Sequence, residues 1–109
     1  MYRFAPSPTE DLSISDLQTA LFNYICAIQE DDKLIIRIED IDKEKNIEGK
    51  DHEILEILNL FGIRYEQILY QSESLKFHRQ LGSKLLMDGK AFSCFCSAEI
   101  IETKKEDSN

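Results

Sequence analysis

A turn rich in proline, serine and acidic residues is the segment of this chain best suited to bind a ligand. Its sequence is APSPTEDLSIS, residues 5–15, and it lies between the apolar start of the chain and an apolar-periodic segment. A turn that leads from a strand into a helix presents unpaired backbone N–H groups and the positive end of the helix dipole. The turn therefore predicts an anion site, with phosphate as the default ligand.

A second group of charged side chains lies within the mainly apolar run Leu34–Ile38 and directly after it. Arg37 and Glu39 are two residues apart, so in a strand they share one face. Asp40 and Asp42 follow at the end of the strand. The spacing alone leaves two interpretations open, a binding group or the solvated end of a strand.

Alternating strands and helices must position both groups. Apolar runs and spacings of three and four residues predict these elements. Gly62 is predicted to stop the second helix. The predicted elements are strands at 2–5, 34–38, 68–70 and 91–96, and helices along the apolar stripes 17–28, 54–61 and 75–87.

This alternation predicts an α/β fold with a mainly parallel sheet flanked by helices and right-handed crossovers. Ligands of such sheets bind beyond the carboxyl ends of the strands, where the turn and the Glu39 group both lie. We expect one domain over residues 1–109, with a frayed polar tail over 102–109.

Composition restricts the partners and the compartment. The 21 acidic residues against 13 Lys and Arg give a net charge of −8, which predicts weak affinity for free nucleic acid. No apolar run approaches the roughly 18 residues of a membrane helix, and the N-terminus lacks the pattern of a secretion signal. The three cysteines are expected to be reduced. We therefore expect a cytoplasmic protein without a membrane partner.

Five motifs, in one order and register, resemble bacterial glutamyl-tRNA synthetase. They are RFAPSPT at 3–9, ALFNYI at 20–25, RIED at 37–40, QSE at 71–73 and KAFSCFC at 90–96. The shorter glutamyl-queuosine tRNA synthetases are close relatives and stay an alternative. The resemblance implies a partial Rossmann-type catalytic domain of class I, which joins glutamate to ATP as an adenylate and passes the glutamyl group to tRNA.

The resemblance also implies three glutamate contacts. Arg3 would meet the side-chain carboxylate, Ser7 would orient the amino acid, and Glu39 would hold the α-ammonium. Charge-assisted hydrogen bonds at both ends of a small zwitterion make chemical sense. The alternative is that Arg3 only pairs with Glu39 or Asp40 across neighbouring strands.

The ATP signature departs from the family pattern, which reads P-S-P-T-G, two residues, then H-I-G-H or H-I-G-N. Glu10 replaces the first glycine, Ser13 the first histidine, Ser15 the second glycine, and Asp16 the last residue. Side chains at glycine positions and carboxylates near a triphosphate oppose nucleotide binding. We expect ATP binding to be weak or lost at Pro8, Thr9, Glu10, Ser13, Ser15 and Asp16, and we assign no catalytic residue. Locally, Ser15 and Gln18 predict a capping box.

Other family segments, including the K-M-S-K-S loop, are expected beyond Asn109. We therefore predict that the chain alone is inactive and that, being acidic, it does not bind tRNA by itself, although glutamate stays a possible ligand. The competing hypothesis is a non-catalytic binding module, or one that self-associates as a homo-oligomer through an exposed sheet edge.

Cys94 and Cys96 correspond to half of a zinc site in many members of this family. Zinc requires four ligands in a tetrahedron, and the later half of the site is missing. His78 precedes them on a predicted helix that has no ligand role in the family. We therefore do not expect zinc to bind.

Overall fold

Three short strands form a parallel sheet in the first part of the chain. In the computed structural model, which describes residues 1–106, β1 (Tyr2–Phe4), β2 (Leu34–Ile38) and β3 (Gln67–Tyr70) lie side by side in chain order. Both neighbouring pairs are parallel. The prediction of an α/β fold with a parallel sheet is confirmed.

Helices alternate with the strands, as the apolar spacing predicted. The chain forms two compact units, Met1–Leu75 and Lys76–Asn109. Within the described residues, no helix is both long enough and apolar enough to cross a bilayer. The helices are α1 (Ile14–Gln29), α2 (Lys50–Leu60), a 3-10 turn at Gln71–Ser74, α3 (Leu75–Met87) and α4 (Ala98–Glu106).

The first unit has one core, which lies on a single face of the sheet. The register pairs Phe4 with Ile36, and these side chains point to the same face as Leu34 and Ile38. Both α1 and α2 pack on that face. Each fully buried Leu or Ile there contributes about 1.5–3 kcal/mol. The core residues are Phe4, Ala20, Ala27, Leu34, Ile36, Ile38, Ile54, Leu55, Leu58 and Ile63.

The opposite face of the sheet carries a different set of side chains. Arg3 pairs in register with Ile35, Ile35 pairs with Gln67, and Arg37 pairs with Leu69. None of these residues is buried within the described chain. This face therefore presents two guanidinium groups beside partly exposed apolar side chains.

The ends of α1 and α2 are closed by the same backbone motif. At the end of α2, Gly62 has φ +71° and donates to Asn59 O at 3.0 Å, while Ile63 N donates to Leu58 O at 3.0 Å. This is a Schellman motif, which confirms Gly62 as the predicted stop. At the end of α1, the left-handed position is taken by Asp31, with φ 49°. An L-residue with a side chain is strained in that region.

The predicted strand at 91–96 is wrong. Residues 91–97 have no regular secondary structure, and Phe92 and Phe95 are 87% and 95% exposed. Aromatic residues favour strands only where a neighbouring strand pairs with them, and no described strand does so here. The helix α4 follows, where the sequence predicted a polar tail from residue 102; residues 107–109 of that tail lie outside the described part.

Candidate functional site

Backbone hydrogen bonds join the turn after β1 to the segment after β2. Glu39 N donates to Pro6 O at 2.9 Å, and Ile47 N donates to Pro8 O at 2.8 Å. Both prolines are buried. The turn and the β2–α2 loop therefore form one continuous surface at the carboxyl ends of the strands.

The start of α1 is closed by a capping box between Ser13 and Asp16. Asp16 N donates to Ser13 Oγ at 3.1 Å, and Asp16 Oδ2 accepts from Ser13 N at 3.0 Å and from Ser13 Oγ at 2.5 Å. The predicted box of Ser15 and Gln18 is wrong, because the extended backbone required of an N-cap occurs at Ser13. Ser15 lies within the first turn, where its carbonyl accepts from Thr19. The chain's own side chains thus occupy two donors at this helix end.

A cavity of about 180 Å³ lies beside this capping box. Its polar lining consists of Ser7, Glu10, Asp11 and Asp16. Three carboxylates give the cavity a negative potential, which favours a cation over a phosphate. The rest of the lining is Phe4, Ala5, Pro6, Leu12 and Ile54.

Lys50 holds the distal part of the turn against α2. This lysine is only 8% exposed, and its Nζ lies 2.6 Å from Asp11 Oδ1 and 2.8 Å from Glu53 Oε2. Hydrogen bonding to Asp11 and Glu53 raises the pKa of Lys50. The hydrogen bond from Lys50 lowers the pKa of Asp11. A buried cation therefore fixes the position of one of the three cavity carboxylates.

The face of the sheet opposite the helices carries a second charged group. Arg37 Nη1 lies 3.6 Å from Glu39 Oε1, and their side chains are 25% and 37% exposed. Arg3, on the neighbouring strand, is exposed and has no ion-pair or side-chain hydrogen-bond partner among residues 1–106. The alternative that Arg3 pairs with Glu39 or Asp40 is wrong. The register instead places Arg3 on the same face as Arg37.

Asp40 joins the RIED and QSE motifs. Its Oδ1 accepts from Ser72 N at 2.8 Å and its Oδ2 accepts from Ser72 Oγ at 2.6 Å. The carbonyl of Asp40 accepts from Asn46 Nδ2 at 2.8 Å. These bonds fasten the end of β2 to the 3-10 turn after β3. Asp40 therefore has a structural partner and is not a free carboxylate of the site.

Tyr70 and Asp51 make a related contact between β3 and α2. The hydroxyl of Tyr70 donates to Asp51 Oδ2 at 2.9 Å. This bond raises the pKa of Tyr70, as does its partial burial. Burial acts to raise the pKa of Asp51, but the bond from Tyr70, together with His52, keeps that pKa below its usual value. Both residues line a second cavity of about 290 Å³, together with Pro8 and Asp40.

Comparisons with known proteins agree with this architecture. Residues 1–109 match the family model described as tRNA synthetases class I (E and Q), catalytic domain. The chain belongs to this family. It is 64% identical over 106 residues to glutamate–tRNA ligase 1 of Campylobacter concisus (strain 13826), and 62% identical to the ligase 1 of Campylobacter curvus (strain 525.92). Each alignment covers 97% of this chain and 25% of the relative.

Solved structures of class I synthetases share the fold. The glutamate-tRNA synthetase of Elizabethkingia anophelis superposes with a TM-score of 0.81 at 26% identity, over 96% of this chain and 23% of that one. A glutamate tRNA ligase of Elizabethkingia meningosepticum in complex with its amino acid superposes with a TM-score of 0.79 at 26% identity. The Rossmann-type fold class is therefore confirmed, and the chain spans about a quarter of the length of these relatives.

The structure separates the predicted site residues of this class I synthetase chain into two groups. Arg3 and Glu39 belong to the open sheet face, whereas Ser7 lines the acidic cavity with Glu10 and Asp16. Pro8 lines the second cavity, and Thr9 is half-buried in the turn. The roles of all these residues stay predictions.

The cysteines of the KAFSCFC motif are not part of either group. Cys94 and Cys96 are both exposed and reduced. Among the described residues, no group of three or more His, Cys, Asp or Glu side chains is arranged to hold a metal. Lys50 is the site residue that the sequence did not indicate, because no local pattern pairs it with Asp11. Arg37 lies beside Glu39, as their alternation in the sequence predicted.

Proposed function

We propose that this synthetase chain carries the glutamate-recognition part of a glutamate–tRNA ligase and forms no adenylate on its own. The supporting observation is that Arg3 has no ion-pair or side-chain hydrogen-bond partner among residues 1–106 and shares a sheet face with Arg37, which lies beside Glu39. The relatives at 64% and 62% identity are glutamate–tRNA ligases, and a similar solved structure contains its amino acid.

The spacing of Arg3 and Glu39 suits an extended amino acid. Arg3 pairs with Ile35, and Glu39 lies four residues after Ile35, immediately beyond the end of β2. With a rise of about 3.3 Å per residue and about 4.8 Å between strands, their Cα atoms are about 14 Å apart. The side chains of Arg3 and Glu39 are both long enough to contact a small ligand that lies between them. The guanidinium of Arg3 would bind the side-chain carboxylate, and Glu39 would bind the α-ammonium.

The turn after β1 supports the second half of the proposal. A triphosphate at Pro8–Asp16 would meet the carboxylates of Glu10, Asp11 and Asp16. The backbone N–H groups of Ser13 and Asp16, which at a helix start could bind phosphate, already donate to side chains of the capping box. Ser13 also cannot supply the cationic donor of the family signature, and loss of such a donor costs about 2.7–4 kcal/mol of transition-state stabilisation. We therefore expect weak ATP binding and no activation of glutamate.

Calorimetry and pyrophosphate exchange test the two halves separately. We expect heat of binding with glutamate and little or none with ATP. The variant R3Q should bind glutamate at least about tenfold more weakly, because a charge-assisted hydrogen bond is lost. The control R64Q makes the same charge change at an exposed arginine and should bind normally. Absence of any glutamate heat would contradict the first half, and ATP-dependent exchange above background would contradict the second.

A second candidate function is self-association as a non-catalytic module. β1 is an edge strand that pairs only with β2 within the described sheet. The neighbouring helix α1 exposes Leu21, Phe22, Ile25 and Ile28, at 42%, 59%, 40% and 61%. An unpaired edge beside apolar side chains favours pairing with a second copy. Sedimentation should show a concentration-dependent dimer, and a strict monomer at high concentration would exclude this candidate.

A further inference from the structure

We propose that Arg37 binds the α-carboxylate of the amino acid, so that Arg3, Arg37 and Glu39 form a three-point site for a dicarboxylic amino acid. This inference rests on the proposed glutamate-binding function. It adds a binding residue and explains how the site selects its substrate class.

Arg37 lies between the two other residues on the same face of the sheet. It is two residues beyond Ile35, the partner of Arg3, and two residues before Glu39. Its side chain is 25% exposed, so most of its length is held by the surrounding protein. Along the strand, Arg37 is therefore about 7 Å from the level of Arg3 and about 7 Å from Glu39.

The contact between Arg37 and Glu39 leaves hydrogen-bonding capacity unused. The closest approach of their charged atoms is 3.6 Å, which is longer than the usual 2.7–3.2 Å of an N–H···O bond. A guanidinium has five N–H donors in a planar fork that suits a carboxylate. Among the described residues, Glu39 is the only ion-pair partner of Arg37. Both groups can therefore accept a ligand without the loss of a strong bond.

The charges of the three residues complement glutamate group by group. The substrate has two carboxylates and one ammonium, and the site has two guanidinium groups and one carboxylate. In glutamate, the ammonium and the α-carboxylate are attached to the same carbon atom. The group that binds the α-carboxylate must therefore lie beside the group that binds the ammonium, and Arg37 lies beside Glu39.

A ligand that lacks only the α-carboxylate tests this assignment. γ-Aminobutyrate retains the ammonium for Glu39 and the other carboxylate for Arg3. Wild-type protein should bind it at least about tenfold more weakly than glutamate, and R37Q should bind glutamate more weakly by a similar factor. Because both changes delete the same contact, R37Q should bind γ-aminobutyrate within about twofold of wild type. The variant R3Q should weaken both ligands.

The outcomes separate this inference from the function on which it rests. If wild type does not bind glutamate, the proposed function fails. If wild type binds glutamate but R37Q weakens glutamate and γ-aminobutyrate equally, Arg37 only positions Glu39 and the inference is overturned. If γ-aminobutyrate does not bind wild type at any accessible concentration, R37Q should also fail to bind glutamate, and retained glutamate binding would overturn the inference. Thermal unfolding of R37Q beside R64Q shows that each variant is folded.

Discussion

The carboxylate of Asp16 allows a prediction that connects the stability of α1 to anion binding. Asp16 accepts two hydrogen bonds from Ser13 and carries a negative charge at the start of the helix. The substitution D16A removes both contributions. A lost capping interaction costs about 1 kcal/mol and a lost charge at the helix dipole about 0.3–1 kcal/mol. The variant should therefore unfold about 5–16 °C below wild type, since 1 kcal/mol shifts Tm by roughly 4–8 °C in a domain of this size.

The same substitution should strengthen the binding of ATP. It removes one of three carboxylates from the cavity and frees the N–H of Ser13. The repulsion between two unit charges at 4 Å is about 1 kcal/mol even at the dielectric constant of water, and a triphosphate carries several charges. We expect the Kd for ATP to fall at least about fivefold at low salt. The affinity should stay low in absolute terms, because Glu10 and Asp11 remain in the cavity.

S13A is the matched control for this experiment. It breaks the capping box through the loss of Ser13 Oγ, but it keeps the negative charge of Asp16 and the bond to it from the backbone N–H of residue 13. S13A should lower Tm by a comparable amount without improving ATP binding. Calorimetry at several salt concentrations adds a second test, because the gain for D16A should shrink as ions screen the charge. Equal ATP affinities for D16A and S13A, or a gain that does not depend on salt, would refute the reasoning.

Three further predictions concern the stability of the fold. D31G should raise the free energy of unfolding in urea by up to about 1 kcal/mol. Glycine relieves the left-handed strain at φ 49°, and the substitution removes an acidic charge from the C-terminus of α1. An equal gain with D31A would show that only the charge matters. The hydrogen bond from Lys50 lowers the pKa of Asp11, so the pair contributes stability that is present above the unfolded pKa of about 4 and is lost as the pH falls through the lower folded pKa. D11N should therefore flatten this part of the acid unfolding profile. An unchanged profile would count against a stabilising role for the pair. L58A should lower the free energy of unfolding by about 2–5 kcal/mol, because Leu58 is fully buried. The control L60A removes a leucine that is 83% exposed and should change it by less than about 0.5 kcal/mol in the same assay.

Much of the fold could be predicted because its first unit follows simple apolar patterns. Leu34–Ile38 and Leu75–Met87 are confirmed at both ends. The start of α1 was placed too late, because Ile14 is 88% exposed and lies outside the apolar stripe that marks the helix. Ser15 and Gln18 have the spacing of a capping box, but the extended backbone of the N-cap occurs at Ser13, and the sequence pattern does not show that geometry.

The candidate site was predictable only where neighbouring residues in the sequence are also neighbours in space. Glu39 follows Arg37 by two residues, directly after the end of β2, so their shared face follows from the strand period. Lys50 and Asp11 are 39 residues apart, and no local pattern indicates that they pair. The motif resemblance located Ser7 but did not show that three carboxylates line the same cavity.

The two hydrogen bonds between Asp40 and Ser72 connect positions that are 32 residues apart. D40A deletes both bonds and S72A deletes the bond from Ser72 Oγ, so their effects on unfolding share one bond and should not add. The coupling energy in a double-mutant cycle is expected in the range of about 0.5–3 kcal/mol for residues in direct contact. Tolerance to substitution at one position should therefore depend on the residue at the other.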